Sequence, residues 1–461
     1  MLSKESIERI LTAALSHGGD FSEVYIERSK QSSVSLLNGV VEGTGSSLDC
    51  GIGIRILEGD KCVYVFSNDL YHEEKLIRMA QNASASLAGT PDGKTVYLEP
   101  QMEYFSQKYE IAPTAVSKSE RVRKLRAASE TAKAYSALIT QTSASTADVE
   151  KDVWIANSDG LYVKDHRCRT RIMIQAISSS NEDKQYGYFG PGSGEGYEFF
   201  ENYDIDALAT EAARIATTMI DAKPCPSGKM PVVIGNGFGG VIFHEACGHA
   251  LEATAVGIKS SYFTDMQGKQ IASPIVTAYD DAKIAKEWGS YEIDDEGTAS
   301  TTNLLIKDGI LNSYLIDKIG SRRMGQSSTG CARRQNYSFA PTSRMSNTFI
   351  AAGSSKKEDI IADTEYGIYA ANMGGGSVDT STGEFNFAVN EAYMIRNGMI
   401  CEPVKGATLI GKGNEVLMNI DRVGDDLKLA QGICGSVSGN IPVDVGQPTI
   451  RVSEITVGGQ A

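Results

Sequence analysis

The sequence predicts an α+β protein, with helix-flanked antiparallel sheets in the N-terminal half and a strand-rich C-terminal domain that carries one short functional helix. Three observations predict this. Hairpin turns join successive strand patterns, as antiparallel sheets require. Helical patterns are segregated and do not alternate with strands in the manner of a parallel sheet. Beyond Pro224-Cys225-Pro226-Ser227-Gly228, the clearest boundary in the chain, the pattern turns to short strands and turns.

Ile7, Ile10, Leu11, Ala14 and Leu15 form an apolar helical stripe, opened by Ser3 and stopped at Gly18-Gly19. Val24 and Ile26 alternate with charged residues as a strand, and 34–37 and 40–41 flank Asn38-Gly39, a hairpin signal. Residues 52–56 and 63–66 flank a second turn at Glu58-Gly59-Asp60, and a helix follows through Leu76, Ile77, Ala80 and Leu87. A Pro- and Gly-containing stretch over 89–100 leads to a helix at about 117–135 and strands near 139–145, 153–156 and 169–176. A turn at Asn157-Ser158-Asp159-Gly160 and a closing helix at 205–220 complete that part. The expected units are 1–100, 101–223 and 224–461, since 461 residues exceed one ordinary core.

Composition narrows the function. Hydrophobic content of 41% and charge of 22% describe an ordinary globular protein. Lys+Arg of 44 against Asp+Glu of 58 gives −14, which disfavours direct nucleic-acid binding. The basic run Lys118, Arg121, Arg123, Lys124 and Arg126 reads as a solvated helix face. No apolar run approaches a membrane span, and the N-terminal residues lack a signal-peptide core. Eight cysteines lie scattered without paired spacing, as in a reducing compartment; the expected location is the cytoplasm.

The chemistry concentrates at Phe243-His244-Glu245-Ala246-Cys247-Gly248-His249-Ala250-Leu251-Glu252. Two of only five histidines flank a carboxylate. Neutral imidazoles suit Zn²⁺, and a Glu beside the ion can take a proton from water. The usual zinc-peptidase spacing is H-E-x-x-H; here the histidines are i and i+5, about 140° apart on a regular helix. Both reach one ion only if the helix is widened or bent, and a π-type turn eased by Gly248 is the expected device. A third ligand is needed, and Cys247, Glu252 and Cys434 are all candidates on chemistry alone. The preceding Gly235-Asn236-Gly237-Phe238-Gly239-Gly240 fits G-x-G-x-x-G, but no further βα alternation follows, so these glycines read as points of close backbone approach.

Five collinear motifs resemble the TldD/PmbA family, specifically its TldD branch, which keeps the metal motif that the PmbA (TldE) branch lacks. They are the 243–252 segment; Gly289-Ser290-Tyr291-Glu292-Ile293-Asp294-Asp295-Glu296-Gly297; Arg344-Met345-Ser346-Asn347-Thr348; Gly374-Gly375-Gly376-Ser377-Val378-Asp379; and Cys434-Gly435 leading to Pro442-Val443-Asp444-Val445-Gly446-Gln447-Pro448-Thr449. The resemblance implies a zinc metallopeptidase that trims unfolded peptides or small protein precursors, its metal on His244, His249 and Cys434 and its general base Glu245. It also implies pairing, as a homodimer or as a heterodimer with a PmbA/TldE-type paralogue. The family's older description as a modulator of DNA gyrase supplies the rival reading, a non-hydrolytic regulatory binding protein; a hydrolase of non-peptide amides is another.

Other residues carry weaker expectations. Tyr337, Arg344 and Asn347 are candidate oxyanion donors, set against a plain packed strand segment. Gly374, Gly375 and Gly376 are candidates for substrate binding, because bare backbone lets an extended peptide approach; a simple turn competes. Asp294-Asp295-Glu296-Gly297 lacks the ligand spacing of a cation loop and reads as a turn. His17, His72 and His166 show no sequence partners.

Overall fold

The computed structural model describes residues 2–87, 89, 93–180 and 183–459. Of the 89–100 stretch, residues 90–92 lie outside the described residues. The first helix, Lys4–Ala13, is capped by the Ser3 hydroxyl, which accepts the Ser6 N–H at 3.2 Å. It ends before the expected Gly18, and Leu15 is buried within the connecting turn.

The strands are longer than their local patterns. Phe21–Leu37 is one strand of 17 residues that unites the 24–26 and 34–37 patterns, and Ile139–Asn157 is one of 19. Intervening serines, a glutamine and charges do not interrupt Phe21–Leu37, because it is paired on both sides, with Val40–Glu58 and Ile139–Asn157. The Asn38-Gly39 hairpin has φ of 50° and 77° at its two residues, as a type I′ turn demands.

These strands form one eight-stranded sheet, whose main path runs Lys61–Ser67, Val40–Glu58, Phe21–Leu37, Ile139–Asn157, Tyr162–Ser179, Met102–Tyr104. Residues of 1–100 and of 101–223 thus contribute to a single sheet. Each part covers it with its own helices, Lys4–Ala13 with Glu73–Ala85 and Lys118–Ala134 with Ile205–Ile220, over separate apolar clusters. Val24 and Ile26 pack under the first pair of helices. The opposite face, which includes Tyr25, meets Tyr337 and Ile293 of the C-terminal part.

That part holds a second eight-stranded sheet and a six-stranded one. Gly228–Ile234 pairs parallel to Tyr366–Val378 on one side and antiparallel to Ile450–Gly458 on the other, so the strand before the glycine run is not part of a doubly wound parallel sheet. The six-stranded sheet ends in Asn347–Ile350, Gly439–Gln447 and, at its edge, Lys428–Ser436. The architecture is α+β with mainly antiparallel sheets. No described helix is long and apolar enough to cross a membrane.

Candidate metal centre

The site starts with a short helix, Val241–Ala246, that follows the 3₁₀ turn Gly237–Gly240. The glycines of that turn are set by close approach to a neighbouring strand. A Cβ on Gly240 would lie 2.4 Å from the Gly446 nitrogen, and one on Gly239 would lie 2.7 Å from Gln447 Nε2.

The expected π-type widening between the histidines does not occur. The helix ends at Ala246; Cys247 leaves helical geometry at φ −135°, ψ −52°; and a 3₁₀ turn, Gly248–Leu251, takes over. Three contacts impose the break. The Tyr262 hydroxyl donates to the Ala246 carbonyl. Gly413 packs so tightly on that carbonyl that a Cβ there would lie 2.0 Å away. A Cβ on Gly248 would meet Met345 Sδ at 2.1 Å, so this glycine serves packing and not backbone freedom.

The break brings the two imidazoles together, their ring centroids 5.0 Å apart and their planes at 86°. Cys434 Sγ lies 3.3 Å from His244 Nε2 and 3.2 Å from His249 Nε2. The three ligand atoms all lie within 4.8 Å of one another. Cys434 stands within the Lys428–Ser436 strand, three residues before the hairpin turn, and not in a Gly-flanked turn as its neighbours Gly432 and Gly435 suggest. Of the other candidate ligands, Cys247 is fully buried in the apolar core, where desolvation pushes its thiol up. Glu252 stands behind His249, its Oε2 3.3 Å from Nδ1. Such a carboxylate fixes tautomer and ring orientation.

Electrostatics favour a charged thiolate. Burial raises the Cys434 pKa, but the adjacent imidazoles outweigh it and hold the group well below the ordinary thiol value. Burial likewise opposes charge on His249, yet the Glu252 carboxylate and the Cys434 sulfur raise its pKa well above the usual imidazole value. The donor set is chemically apt for a metal. Ordinary metal–nitrogen and metal–sulfur bonds of about 2.0 and 2.3 Å in a tetrahedron place N and S about 3.5 Å apart. Imidazole with thiolate suits a borderline-soft ion. Glu245 has a 21% exposed side chain, and its Oε2 is 3.8 Å from His249 Nε2, beside the ligand cluster and open to solvent.

Arg344 acts as a clamp. Its guanidinium is fully buried and donates to Cys434 O at 2.7 Å, Ser438 Oγ at 2.9 Å and Gly439 O at 2.9 Å, while Nε lies 3.9 Å from Glu252. One side chain therefore positions both the Cys434 hairpin and the carboxylate behind His249. Fully buried and with both terminal nitrogens committed to the hairpin, Arg344 is not an oxyanion donor. Neither is Asn347, whose Nδ2 donates to Asp281 O and Ser290 Oγ, nor Tyr337, which packs on Gly51 and donates to Asp49 at 3.2 Å. An Arg344→Lys chain keeps the charge and loses most of the hairpin contacts. Its metal affinity, measured by chelator competition, is expected to fall about 10–100-fold.

Gly374 and Gly375 line a cavity of about 780 Å³, whereas Gly376 is glycine because a Cβ would lie 2.2 Å from the Phe387 ring. The Asp294 carboxylate accepts the Glu296 and Thr298 N–H groups, an Asx-type turn closed by Gly297 at φ 77°. The remaining histidines have local partners: Ser16 for His17, Asp69 for His72, and Glu103 with Asp152 for His166.

Residues 22–87, 111–220 and 227–459 match, in turn, domain 1, the central domain and the C-terminal domain of the PmbA/TldA metallopeptidases. The chain is 37% identical over 474 residues to the metalloprotease TldD homolog of Haemophilus influenzae, covering 99% of this chain and 97% of that protein. A metalloprotease of Methanocaldococcus jannaschii is 33% identical over 457 residues, covering 98% and 99%. The crystal structure of TldE from Thermococcus kodakarensis is similar with a TM-score of 0.76 at 18% identity, covering 98% of this chain and 100% of that one. A Thermotoga maritima protein described as a candidate modulator of a DNA gyrase gives 0.77 at 20%, covering 95% and 96%. At these identities the two structures speak for the fold.

Proposed function

Because this chain belongs to the PmbA/TldD metallopeptidase family, in its TldD branch, we propose that it is a zinc-dependent peptidase of unfolded peptides or small protein precursors. His244, His249 and Cys434 hold the ion and Glu245 is the general base. The observation that carries this is the convergence of three ligand atoms from segments 190 residues apart, with the Glu245 carboxylate beside them.

A zinc ion bound there would supply Lewis acidity, polarising the scissile carbonyl and bringing the pKa of a water towards neutrality. Glu245 accepts the proton of that water as it attacks, then returns it to the leaving amine. Glu252 holds His249 in the tautomer that presents Nε2, and Arg344 keeps Cys434 in place. A thiolate donates more charge than a third imidazole and leaves a weaker Lewis acid, so turnover is slow. Gly374, Gly375 and Gly376 form the substrate-binding stretch; two of them face the large cavity, which supports the reading.

The same proposal makes 224–461 the catalytic unit, standing on the shared sheet of 1–100 and 101–223. Eight free cysteines support a cytoplasmic location. The net charge of −14 supports protein and peptide partners over nucleic acid. The reading includes pairing as a dimer, of this chain with itself or with a PmbA/TldE-type paralogue, on the ground of family membership.

Metal analysis of the natively purified chain beside its Cys434→Ser variant is the test. Near one zinc per chain, sharply reduced in the variant, is expected. A well-folded chain that takes up no zinc when it is supplied overturns the hydrolase reading and leaves the regulatory binding protein in front.

A further inference from the structure

The metal centre does not account for the cleft of about 780 Å³ on which Gly374 and Gly375 open. One wall belongs to the middle part of the chain. Tyr186 and Tyr188 alternate on the strand Lys184–Phe189 and so share a face, 45% and 39% exposed. Leu208 and Ile215 project from one face of the helix Ile205–Ile220. The other wall is C-terminal, with Phe238 and Met373. The Tyr186 hydroxyl reaches across to Asn390 Oδ1 at 3.1 Å. The two lining glutamates, Glu211 and Glu391, share one cation, Arg214, at 2.7 and 2.9 Å. What remains for a ligand is the pair of half-exposed tyrosine rings with Phe238, set among side-chain amides and the exposed Lys428.

Two of the C-terminal elements that line the cleft run on into the metal centre. Gly237, Phe238 and Gly239 lead directly into the helix of His244, and Lys428 to Gln431 precede Cys434 on one strand. Three strand residues span about 10 Å, and the five residues from Gly239 to His244 span about 8 Å of helical rise. An extended peptide covers the same distance in about three residues.

We propose that this cleft is a subsite for a bulky apolar or aromatic side chain of the substrate, about three residues from the bond that is cut. The identity of the ligand as a peptide rests on the peptidase reading. Phe, Tyr, Leu and Met fit best, because the half-exposed tyrosine faces offer polarisable contact to an apolar side chain.

Two measurements on the full chain separate this inference from the reading beneath it. In the first, the zinc-loaded Glu245→Gln chain is titrated with fluorescent Gly/Ser decapeptides that carry one Phe or none. The Phe peptide is expected to bind about tenfold tighter or better, the effect of burying one such side chain. The Tyr186→Ala/Tyr188→Ala variant, altered only at exposed rings, is expected to lose that difference. In the second, cleavage sites in denatured β-casein are mapped by mass spectrometry. Apolar residues should be enriched at one position about two to four residues from the cut, and the double variant should still cleave but without the enrichment. Equal binding of both peptides, or a preference that survives the double variant, overturns the subsite and leaves the cleft a seam between two parts of the chain. A Phe preference without any cleavage by the native chain preserves the subsite and removes the hydrolase reading. Cleavage without apolar preference does the reverse.

Discussion

A Glu245→Gln chain is expected to bind zinc as the native chain does and to hydrolyse peptides about 10²–10⁴-fold more slowly. Gln has the same shape and can still orient a water, but it cannot accept the proton that the attack releases. The substitution is structurally mild. Glu245 is partly exposed, and its nearest charged partner is His249 Nε2 at 3.8 Å, so no buried charge is stranded and stability should stay within about 0.5 kcal/mol. Steady-state cleavage of a model peptide, zinc content and thermal unfolding, taken together, read the result. Unchanged turnover would place the base elsewhere. Loss of zinc together with activity would make Glu245 a structural acid. A protein that only binds its partner should tolerate the change. Glu252→Gln makes the useful contrast, since that carboxylate touches His249 Nδ1 and its loss should weaken metal binding before it alters the chemistry.

The contrast also marks what the sequence could reveal. His244, Glu245 and His249 lie within six consecutive residues, so their shared chemistry is legible without a fold. The manner of their convergence is not. It depends on Tyr262, Met345 and Gly413 pressing on the chain between them, and none of these is a neighbour in sequence. The third donor shows the same divide: chemistry left Cys247, Glu252 and Cys434 open, and only family resemblance pointed to Cys434. Its approach to the imidazoles is a product of the edge hairpin and of Arg344, whose clamp looks from the sequence like any Arg in a strand segment. The strands outrun their local sequence patterns for a related reason. Pairing on both flanks sustains Phe21–Leu37 through polar residues, and pairing partners leave no local trace. No pattern marked the strand Lys184–Phe189, and with it the aromatic cleft stayed hidden.

The largest stability effect is expected at a residue whose sequence context suggests solvent. Glu23 alternates with Val24, the pattern of a half-buried strand whose charges face water, yet its side chain is 1% exposed. The C-terminal part covers that face. Glu23 Oε2 binds Arg55 at 2.7 Å and Oε1 binds Arg334 at 2.8 Å, while Arg55 reaches Glu296 at 2.6 Å; all four side chains are 0–1% exposed. Arg334 comes from 311 residues away, which is why no local pattern announces the burial. Glu23→Ala removes the carboxylate that faces two buried guanidiniums. Burial opposes the charge of both, and Glu23 is among the groups that favour it. Arg55 keeps Glu296, but the Arg334 guanidinium keeps hydrogen bonds to neutral oxygens alone, with the Tyr25 ring beside it and the nearby Asp295 carboxylate, which its backbone N–H holds, as the remaining favourable charge. Stranding a charge in this way costs about 3–5 kcal/mol, and urea unfolding followed by fluorescence should report it as a lower midpoint. Because the pairs are buried, added salt should leave the difference nearly unchanged, unlike an exposed pair such as Lys229 with Glu454. Replacing Glu23 and Arg334 together with methionine, which leaves Arg55 on Glu296, should recover much of the loss, since the penalty lies in unpaired charge and not in missing attraction. A single Glu23→Ala chain as stable as the native one would mean that the C-terminal part does not seal this face in solution, and that the sheet and the C-terminal part are held together elsewhere.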